Sequence, residues 1–153
     1  MVSRKFKSEL PPLVFGGRSA HVNHSMEVLS KQLKAAIPSI QDCASLLSDG
    51  AVSSTCASVM FKGLKLTSLS CTPLRTVGQA KSDCILMIPF TGKGSVKLGS
   101  QALQWKAGAM GVWLPKVSFI DEGTTRSSLL INIDPNRVAR VARIMLGLSL
   151  IHI

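Results

Sequence analysis

The chain has 153 residues and a formal net charge of +10, from 18 Lys and Arg against 8 Asp and Glu. Apolar residues make up 46 % and charged residues 17 %, which supplies material for a core and excludes a disordered chain. The few aromatic residues exclude a stacking platform for single-stranded nucleic acid. No apolar run approaches the roughly 20 residues of a membrane-spanning helix, and no secretion signal opens the chain. We therefore expect one cytoplasmic domain that does not contact a membrane.

Residues 1–50 are predicted to form a lead-in that contains one amphipathic helix. The first 24 residues show no periodicity and many Pro and Gly residues, so they are predicted to be irregular. Over 25–36, apolar side chains such as Leu29 and Leu33 recur at helical spacing, and Ser25 can cap the start. A second, short helical turn is predicted within 40–47.

Residues 51–147 are predicted to form a mainly β barrel followed by a helix. After the turn signal Asp49-Gly50, short β-branched and apolar segments alternate with Gly or Pro, which is typical of a sandwich or barrel. The predicted strands lie near 52–61, 64–71, 74–79, 84–90, 94–98, 102–106, 111–115, 117–121 and 127–133. Alternation on both sides of Gly99-Ser100 predicts a hairpin. The segment Gly92-Lys93-Gly94-Ser95 lacks the Gly-Lys-Ser/Thr succession of a phosphate loop and is predicted to be a hairpin turn.

The helix after Asp134-Pro135 carries an apolar stripe that needs a partner. The stripe contains Val138, Val141 and Met145. Arginines follow at intervals of three on the remaining surface: Arg137, Arg140 and Arg143. We expect the stripe to pack partly on the barrel and partly against a second copy in a homodimer. DNA contact by the arginines is the weaker alternative, because no second helix follows to make a helix-turn-helix unit.

Cysteine and histidine positions give no support to metal or nucleophilic catalysis. The cysteines are Cys43, Cys56, Cys71 and Cys84, with no paired zinc-type spacing. They are predicted to be small apolar core residues in a reducing cytosol, with two disulfides as the alternative. The histidines are His21, His24 and His152, all outside the predicted strands. No G-x-S-x-G nucleophile turn occurs, so we predict no catalytic residue, no metal and no cofactor.

Four segments together resemble a known family. They are Thr72-Pro73-Leu74-Arg75-Thr76, the run 83–94, the run 105–115 and the run 129–135 with its arginine-bearing helix. In order and spacing they resemble the cupin-like, ligand-binding N-terminal domain of AraC-type bacterial transcriptional regulators, over about 85 of the 153 residues. Where the family commonly shows Pro-Gly-Asp, this chain has Ala107-Gly108-Ala109, which predicts a softer turn.

The resemblance also bears on the end of the chain. Members of the family continue into a domain with two helix-turn-helix units, whereas this chain stops shortly after Gly147. Residues 148–153 look like a translated sequencing adapter, so we expect a non-native tail on a truncated fragment that lacks its DNA-binding domain. DNA would then be a partner only of the full-length protein.

The resemblance implies an effector-sensing and dimerisation domain that is not an enzyme. A small-molecule effector would bind in the barrel and shift a two-state equilibrium without making or breaking a bond. Arg75 could pair with a ligand carboxylate if it points inward, and Trp113 could form an apolar wall. The alternatives are a surface arginine and a packed core tryptophan. Three other functions remain open: a stand-alone cupin-like small-molecule binding protein, a metal-dependent cupin enzyme, and a basic DNA-associating protein.

Overall fold

A computed structural model describes residues 9–79, 84–109, 111–114 and 118–147. Within these ranges, ten strands lie between two helices. The helices are α1 (Met26–Ala36) and α2 (Pro135–Met145). The strands are β1 (Ile40–Ser45), β2 (Ser54–Phe61), β3 (Leu64–Cys71), β4 (Leu74–Gln79), β5 (Cys84–Thr91), β6 (Lys93–Leu98), β7 (Gln101–Lys106), β8 (Val112–Leu114), β9 (Ser118–Gly123) and β10 (Arg126–Ile133).

The strands form two antiparallel sheets, in the orders β1-β4-β9-β6-β7 and β2-β3-β10-β5-β8. Each sheet turns one face toward a shared core, where Leu74 and Val96 of the first sheet meet Leu69 and Ile85 of the second. The mainly β architecture, with a helix before it and a helix after it, is therefore confirmed. The nine strands predicted beyond residue 50 are all present, although residues 115–117, at two of the predicted strand ends, lie outside the described ranges.

Helix α1 forms where its sequence predicts it and closes the core. The Ser25 side chain accepts a hydrogen bond from the Val28 amide at 3.3 Å, which caps the first turn. Leu29 and Leu33 are fully buried against the sheets. At the other end, the Lys65 ammonium and the Asn132 amide donate to the last helical carbonyls, those of Ala35 and Ala36. These contacts fix the helix to β3 and β10.

The segment predicted as a helical turn within 40–47 is instead strand β1, so that prediction is wrong. Strand β1 pairs with β4, and the register shifts between Ile40 and Asp42. This bulge lets Ile40 and Cys43 both face the core although they are three residues apart. A spacing of three is a helical signal in sequence, and here a bulged edge strand produces it.

The two glycine-rich segments behave differently. The hairpin around Gly99-Ser100 is confirmed, since β6 and β7 pair with Leu98 opposite Gln101. The prediction of a hairpin turn at residues 92–95 is wrong, because β5 and β6 belong to different sheets. Gly92, at φ +87°, turns the chain from one sheet to the other, and a side chain there would meet the Thr125 carbonyl at 2.7 Å.

The irregular lead-in crosses the outer face of the second sheet. Serine side chains on β3 and β10 hold it by three hydrogen bonds: Ser70 Oγ to the Pro11 carbonyl at 2.6 Å, Ser127 Oγ to the Pro12 carbonyl at 2.7 Å, and the Val14 amide to Ser68 Oγ at 2.9 Å. Buried serines on the outer face of a strand are thereby satisfied by backbone groups. The lead-in therefore acts as a cover for this sheet.

Helix α2 begins where predicted and makes almost no contact with the barrel. The Asp134 side chain caps it by accepting a hydrogen bond from the backbone N–H of Asn136 at 2.9 Å. No residue of α2 is buried, and Val138, Val141 and Met145 are 38, 47 and 81 % exposed. The expectation that part of the stripe packs on the barrel is therefore wrong, because α1 and the facing sheets already fill the core. Neither helix in the described part of the chain has the length and apolar content to cross a bilayer.

The four cysteines are free thiols. Cys43, Cys71 and Cys84 are buried and Cys56 is half-buried, so their prediction as core residues holds for three of them. Burial raises the pKa of the Cys71 thiol, and the nearby Arg126 guanidinium offsets part of this rise. Cys71 is therefore a protonated, unreactive thiol at neutral pH.

Candidate ligand-binding site

A buried polar cluster joins the two sheets in the interior. Trp105 on β7 donates its indole N–H to Asp121 Oδ1 at 2.9 Å. Arg126 on β10 places Nη2 2.6 Å from Asp121 Oδ2. The side chains of Arg126 and Asp121 are 3 and 5 % exposed, so this is a fully buried ion pair. Because Asp121 lies on β9 of the first sheet and Arg126 on the second, the pair ties one sheet to the other.

Two glycines make room for this cluster. The Arg126 guanidinium carbon lies 5.3 Å from the centre of the Trp105 ring, in a cation–π arrangement. A Cβ at Gly94 or Gly123 would collide with the Trp105 ring, and one at Gly123 would also collide with Arg126 Nη1. The two glycines therefore set the depth to which the ring enters the barrel.

The electrostatics keep Arg126 charged. Burial has the largest single effect and lowers the pKa of Arg126, but Asp121 and Cys71 together raise that pKa by more, through charge and hydrogen bonding. The pKa of Arg126 therefore lies above its ordinary value. The guanidinium is a permanent positive charge in the interior, and Asp121 balances it.

Arg126 nevertheless has N–H donors without hydrogen-bond partners. Its Nε and Nη1 atoms find no hydrogen-bond acceptor among the residues that the structure describes. Cys71, directly across the sheet from Arg126, offers sulfur, which is a weak acceptor. Ser128, two residues along β10 on the same face, also has a hydroxyl without a partner in the described ranges. Buried polar groups are ordinarily paired, so three such atoms on one strand face indicate a site for a ligand or water.

A small cavity lies beside these atoms. Its volume is about 30 Å³, room for about two water molecules. Its polar lining consists of Thr76, Asp121, Arg126 and Ser128. Its apolar lining includes Leu33, Ile37, Ile85, Met87, Phe119 and Leu130. The interior thus offers a few convergent polar groups in an apolar setting, the usual composition of a small-molecule site.

Several larger grooves lie on the surface. One of about 670 Å³ is lined by residues that include Lys93, Lys106 and Glu122. Another, of similar volume, lies under the lead-in beside His24 and Thr55. Neither is lined by a residue with an unpaired buried polar atom, whereas a groove of about 340 Å³ is lined by Asn132, whose Oδ1 has no partner in the described ranges. The interior cavity is the candidate site because two of its lining residues, Arg126 and Ser128, together carry three such atoms.

Of the two predicted ligand contacts, Arg75 does not line this cavity. Arg75 on β4 faces outward, is half-exposed, and pairs with Glu122 through a distance of 3.1 Å between Nε and Oε1. The inward orientation required for Arg75 is thus not found, because its neighbours Leu74 and Thr76 occupy the inward positions of the strand. Trp113 lies on β8, opposite Leu86, and its side chain is outside the described part of the structure.

Sequence reasoning missed the residues that the interior does bring together. Arg126 shares its strand face with Ser128 and Leu130, and Asp121 shares its face with Phe119. The available signal was a charged residue at one of the alternating strand positions that otherwise hold apolar core residues. It was lost because the predicted last strand began at 127 and left Arg126 in the preceding turn.

Neither of the two histidines in the described ranges lines the site, and His152 lies outside those ranges. His24 Nδ1 lies 2.9 Å from Ser53 Oγ near the surface, and His21 is exposed. In the portion of the chain that the structure describes, His, Cys, Asp and Glu side chains form no group of three that could hold a metal ion.

Comparison with known proteins shows the fold. No protein-family model and no curated protein sequence matches the chain. Among solved structures, the chain is similar to the AraC-like transcriptional activator CuxR, with a TM-score of 0.59 and 11 % identity over 81 % of this chain and 50 % of that chain. A partial likeness extends to the cupin domain of Schizosaccharomyces pombe Cnp3, with a TM-score of 0.44 and 13 % identity over 57 % of this chain and 66 % of that chain.

A cupin-like protein from Thermotoga maritima shows a similar partial likeness, with a TM-score of 0.40 and 18 % identity over 57 % of this chain and 76 % of that chain. The chain spans about half the length of CuxR. At these identities the comparisons bear on fold alone. The chain is similar in fold to part of an AraC-like transcriptional activator, as its sequence predicts.

Proposed function

We propose that the chain is the effector-sensing and dimerisation domain of an AraC-type transcriptional regulator, with the effector bound inside the barrel. The observation that carries this proposal is the buried Arg126, which lines the interior cavity and whose Nε and Nη1 have no hydrogen-bond partner in the described residues. The likeness to CuxR supports it, since that protein is an AraC-like transcriptional activator. DNA reading would belong to a separate helix-turn-helix domain, as the resemblance implies.

The arrangement of elements supports a path from the cavity to α2. Arg126, Ser128 and Leu130 line the cavity from β10. Strand β10 ends at Ile133, and α2 begins at Pro135 with only Asp134 between them. A ligand that moves β10 would therefore also move α2. Binding would bias one of two arrangements, and no bond would be made or broken.

Self-association is proposed to use α2. Val138, Val141 and Met145 form an exposed apolar stripe on this helix. Burying such a stripe against its symmetry copy in a homodimer would stabilise the pair, because the same patch serves both partners. The arginines of the helix would then lie at the edges of the interface, in contact with water.

A stand-alone cupin-like binding protein would use the same cavity and differ in its output. A sensor requires ligand binding to change self-association, whereas a stand-alone binder does not.

The test combines a ligand screen with a measurement of mass. The full chain is screened against a panel of small acids, sugars and amines by thermal denaturation, and light scattering is then recorded at tens of micromolar with and without the best compound. A sensor shows a compound-dependent change of mass. A compound that stabilises the chain and leaves its mass unchanged favours the stand-alone binder. A strict monomer under all conditions contradicts the dimerisation role.

A further inference from the structure

We propose that the interior site binds a short-chain monocarboxylic acid, whose carboxylate accepts hydrogen bonds from Arg126 and Ser128. This proposal rests on the interior site proposed above and specifies the class of its ligand.

The first support is an excess of donors over acceptors around the cavity. Arg126 carries five N–H donors, and the contact at 2.6 Å to Asp121 uses one nitrogen, Nη2. Nε and Nη1 remain without acceptors, and the Ser128 hydroxyl adds a further donor. Asp121, the acidic residue of the cavity lining, is already engaged by both Trp105 and Arg126. A ligand that only accepts hydrogen bonds fits this inventory, and an ionised carboxylate is such a ligand.

The second support is the rigidity of the donors. Asp121 holds one end of the guanidinium, and the Trp105 ring covers its face at 5.3 Å. The ring packs closely against the backbone of Gly94 and Gly123, where an added Cβ would collide with it. The Arg126 side chain is therefore fixed before a ligand arrives, which lowers the entropic cost of binding.

The third support is the size and lining of the cavity. A volume of about 30 Å³, room for about two water molecules, matches the carboxylate of a small acid, and the hydrocarbon would take its space among the surrounding apolar side chains. The walls away from Arg126 are apolar, among them Ile85, Met87 and Leu130. The carboxylate of a short-chain acid would face Arg126, and its hydrocarbon would face the apolar wall. A sugar would instead leave its hydroxyls without hydrogen-bond partners on the apolar side.

The position of Asp121 leads to a distinctive consequence. A bound carboxylate would share Arg126 with the Asp121 carboxylate, and the two like charges would repel each other. Replacing Asp121 by Asn removes that repulsion and keeps an oxygen for the Trp105 N–H. Asp121→Asn is therefore expected to strengthen binding of an acid.

The experiment is a calorimetric titration of the full chain at pH 7 and constant ionic strength. The probes are acetate and propionate, their amides acetamide and propionamide, and nitrate as a planar inorganic anion. We expect the acids to bind at least about tenfold more tightly than the amides, since an amide places N–H donors where acceptors are needed. We also expect propionate to bind more tightly than nitrate, because nitrate has no hydrocarbon to bury.

Variants locate the binding. Ser128→Ala, which breaks no hydrogen bond within the described ranges, is expected to weaken propionate binding about threefold to tenfold. Asp121→Asn is expected to strengthen it, and Arg126→Gln to abolish it. Arg75→Gln is the matched control, since Arg75 is also a paired arginine but faces outward, and it is expected to leave binding unchanged.

Several results would overturn the proposal. Amides or nitrate that bind as tightly as propionate would show that the site does not select a carboxylate with an apolar chain. Binding that is unaffected by Ser128→Ala and Asp121→Asn would place the acid elsewhere, even if Arg126→Gln fails to fold. Absence of acid binding overturns this inference alone when the screen above finds a sugar or amine that binds, and the sensing role fails only if no compound binds inside the barrel.

Discussion

Arg126 and Asp121 show how a single ion pair can serve both the fold and the site. Each side chain is buried and would be an uncompensated charge without the other. Asp121 also accepts from Trp105, so the carboxylate is positioned by two partners from two strands. Arg126 also lines the cavity, and its Nε and Nη1 have no hydrogen-bond partner in the described residues.

Removing one partner of this pair is expected to be costly. Arg126→Gln should lower the free energy of unfolding by about 3–5 kcal/mol, because Asp121 is left buried and charged. Arg75→Gln should change it by less than about 1 kcal/mol, because the Arg75–Glu122 pair is half-exposed. Urea unfolding at pH 7 measures both. Equal effects of the two substitutions would contradict the buried position of Arg126.

The Cys71 thiol predicts a dependence of stability on alkaline pH. Burial raises its pKa in the folded state, so the unfolded chain loses this proton first as pH increases. The contribution of Cys71 to the free energy of unfolding is therefore complete below the ordinary thiol pKa. It is lost as pH rises through the pKa that Cys71 has in the folded state. The stability difference between wild type and Cys71→Ala should shrink between pH 7.5 and pH 10. Urea midpoints at both pH values test this, and a constant difference would contradict the raised pKa.

Among the helices and strands, sequence patterns predicted an element correctly where its local signals agreed with one another. Helix α1 combines a serine cap with apolar positions at helical spacing, and both features are present in the structure. Strand β1 was mistaken for a helical turn because a bulge mimics helical spacing, and a bulge depends on the partner strand β4. Tertiary pairing, which local sequence does not contain, decided that element.

Helix α1 is predicted to stabilise the folded protein through one of its faces only, the face that contacts the core. Leu33→Ala should destabilise the protein by about 2–5 kcal/mol, since Leu33 is fully buried and lines the cavity. Val28→Ala on the exposed face of the same helix should cost less than about 1 kcal/mol. Urea unfolding distinguishes them, and a comparable loss from Val28→Ala would show that this helix packs differently.

Helix α2 is predicted to act in association and not in folding. Val141→Asp should leave the free energy of unfolding of the monomer nearly unchanged, because no residue of α2 is buried, and should abolish a dimer. Asn136→Asp adds the same charge on the opposite side of the helix and should preserve the dimer. Sedimentation velocity measures the association. Dimers that persist in Val141→Asp would place the interface elsewhere.

In the whole molecule, the positions of the strands along the chain beyond residue 50 were predictable, and the side chains that meet in the interior were not. Glycine and proline mark most strand ends, so nine predicted strands have counterparts in the structure. Which side chains face inward depends on register, and a shift of one residue reverses every orientation. That is why Arg75 was chosen and Arg126 was missed, although both are arginines in β-strands. Pairing across two sheets, as between Asp121 and Arg126, becomes visible only when the barrel is assembled.

The most direct test is a crystal structure of the chain grown with the compound that stabilises it most in the thermal screen. We expect electron density for the compound between Arg126, Ser128 and Thr76, inside the barrel and within hydrogen-bond distance of Arg126 Nε or Nη1. Density in the surface groove beside Lys93 and Lys106 instead, with the interior unchanged, would contradict an interior sensing site.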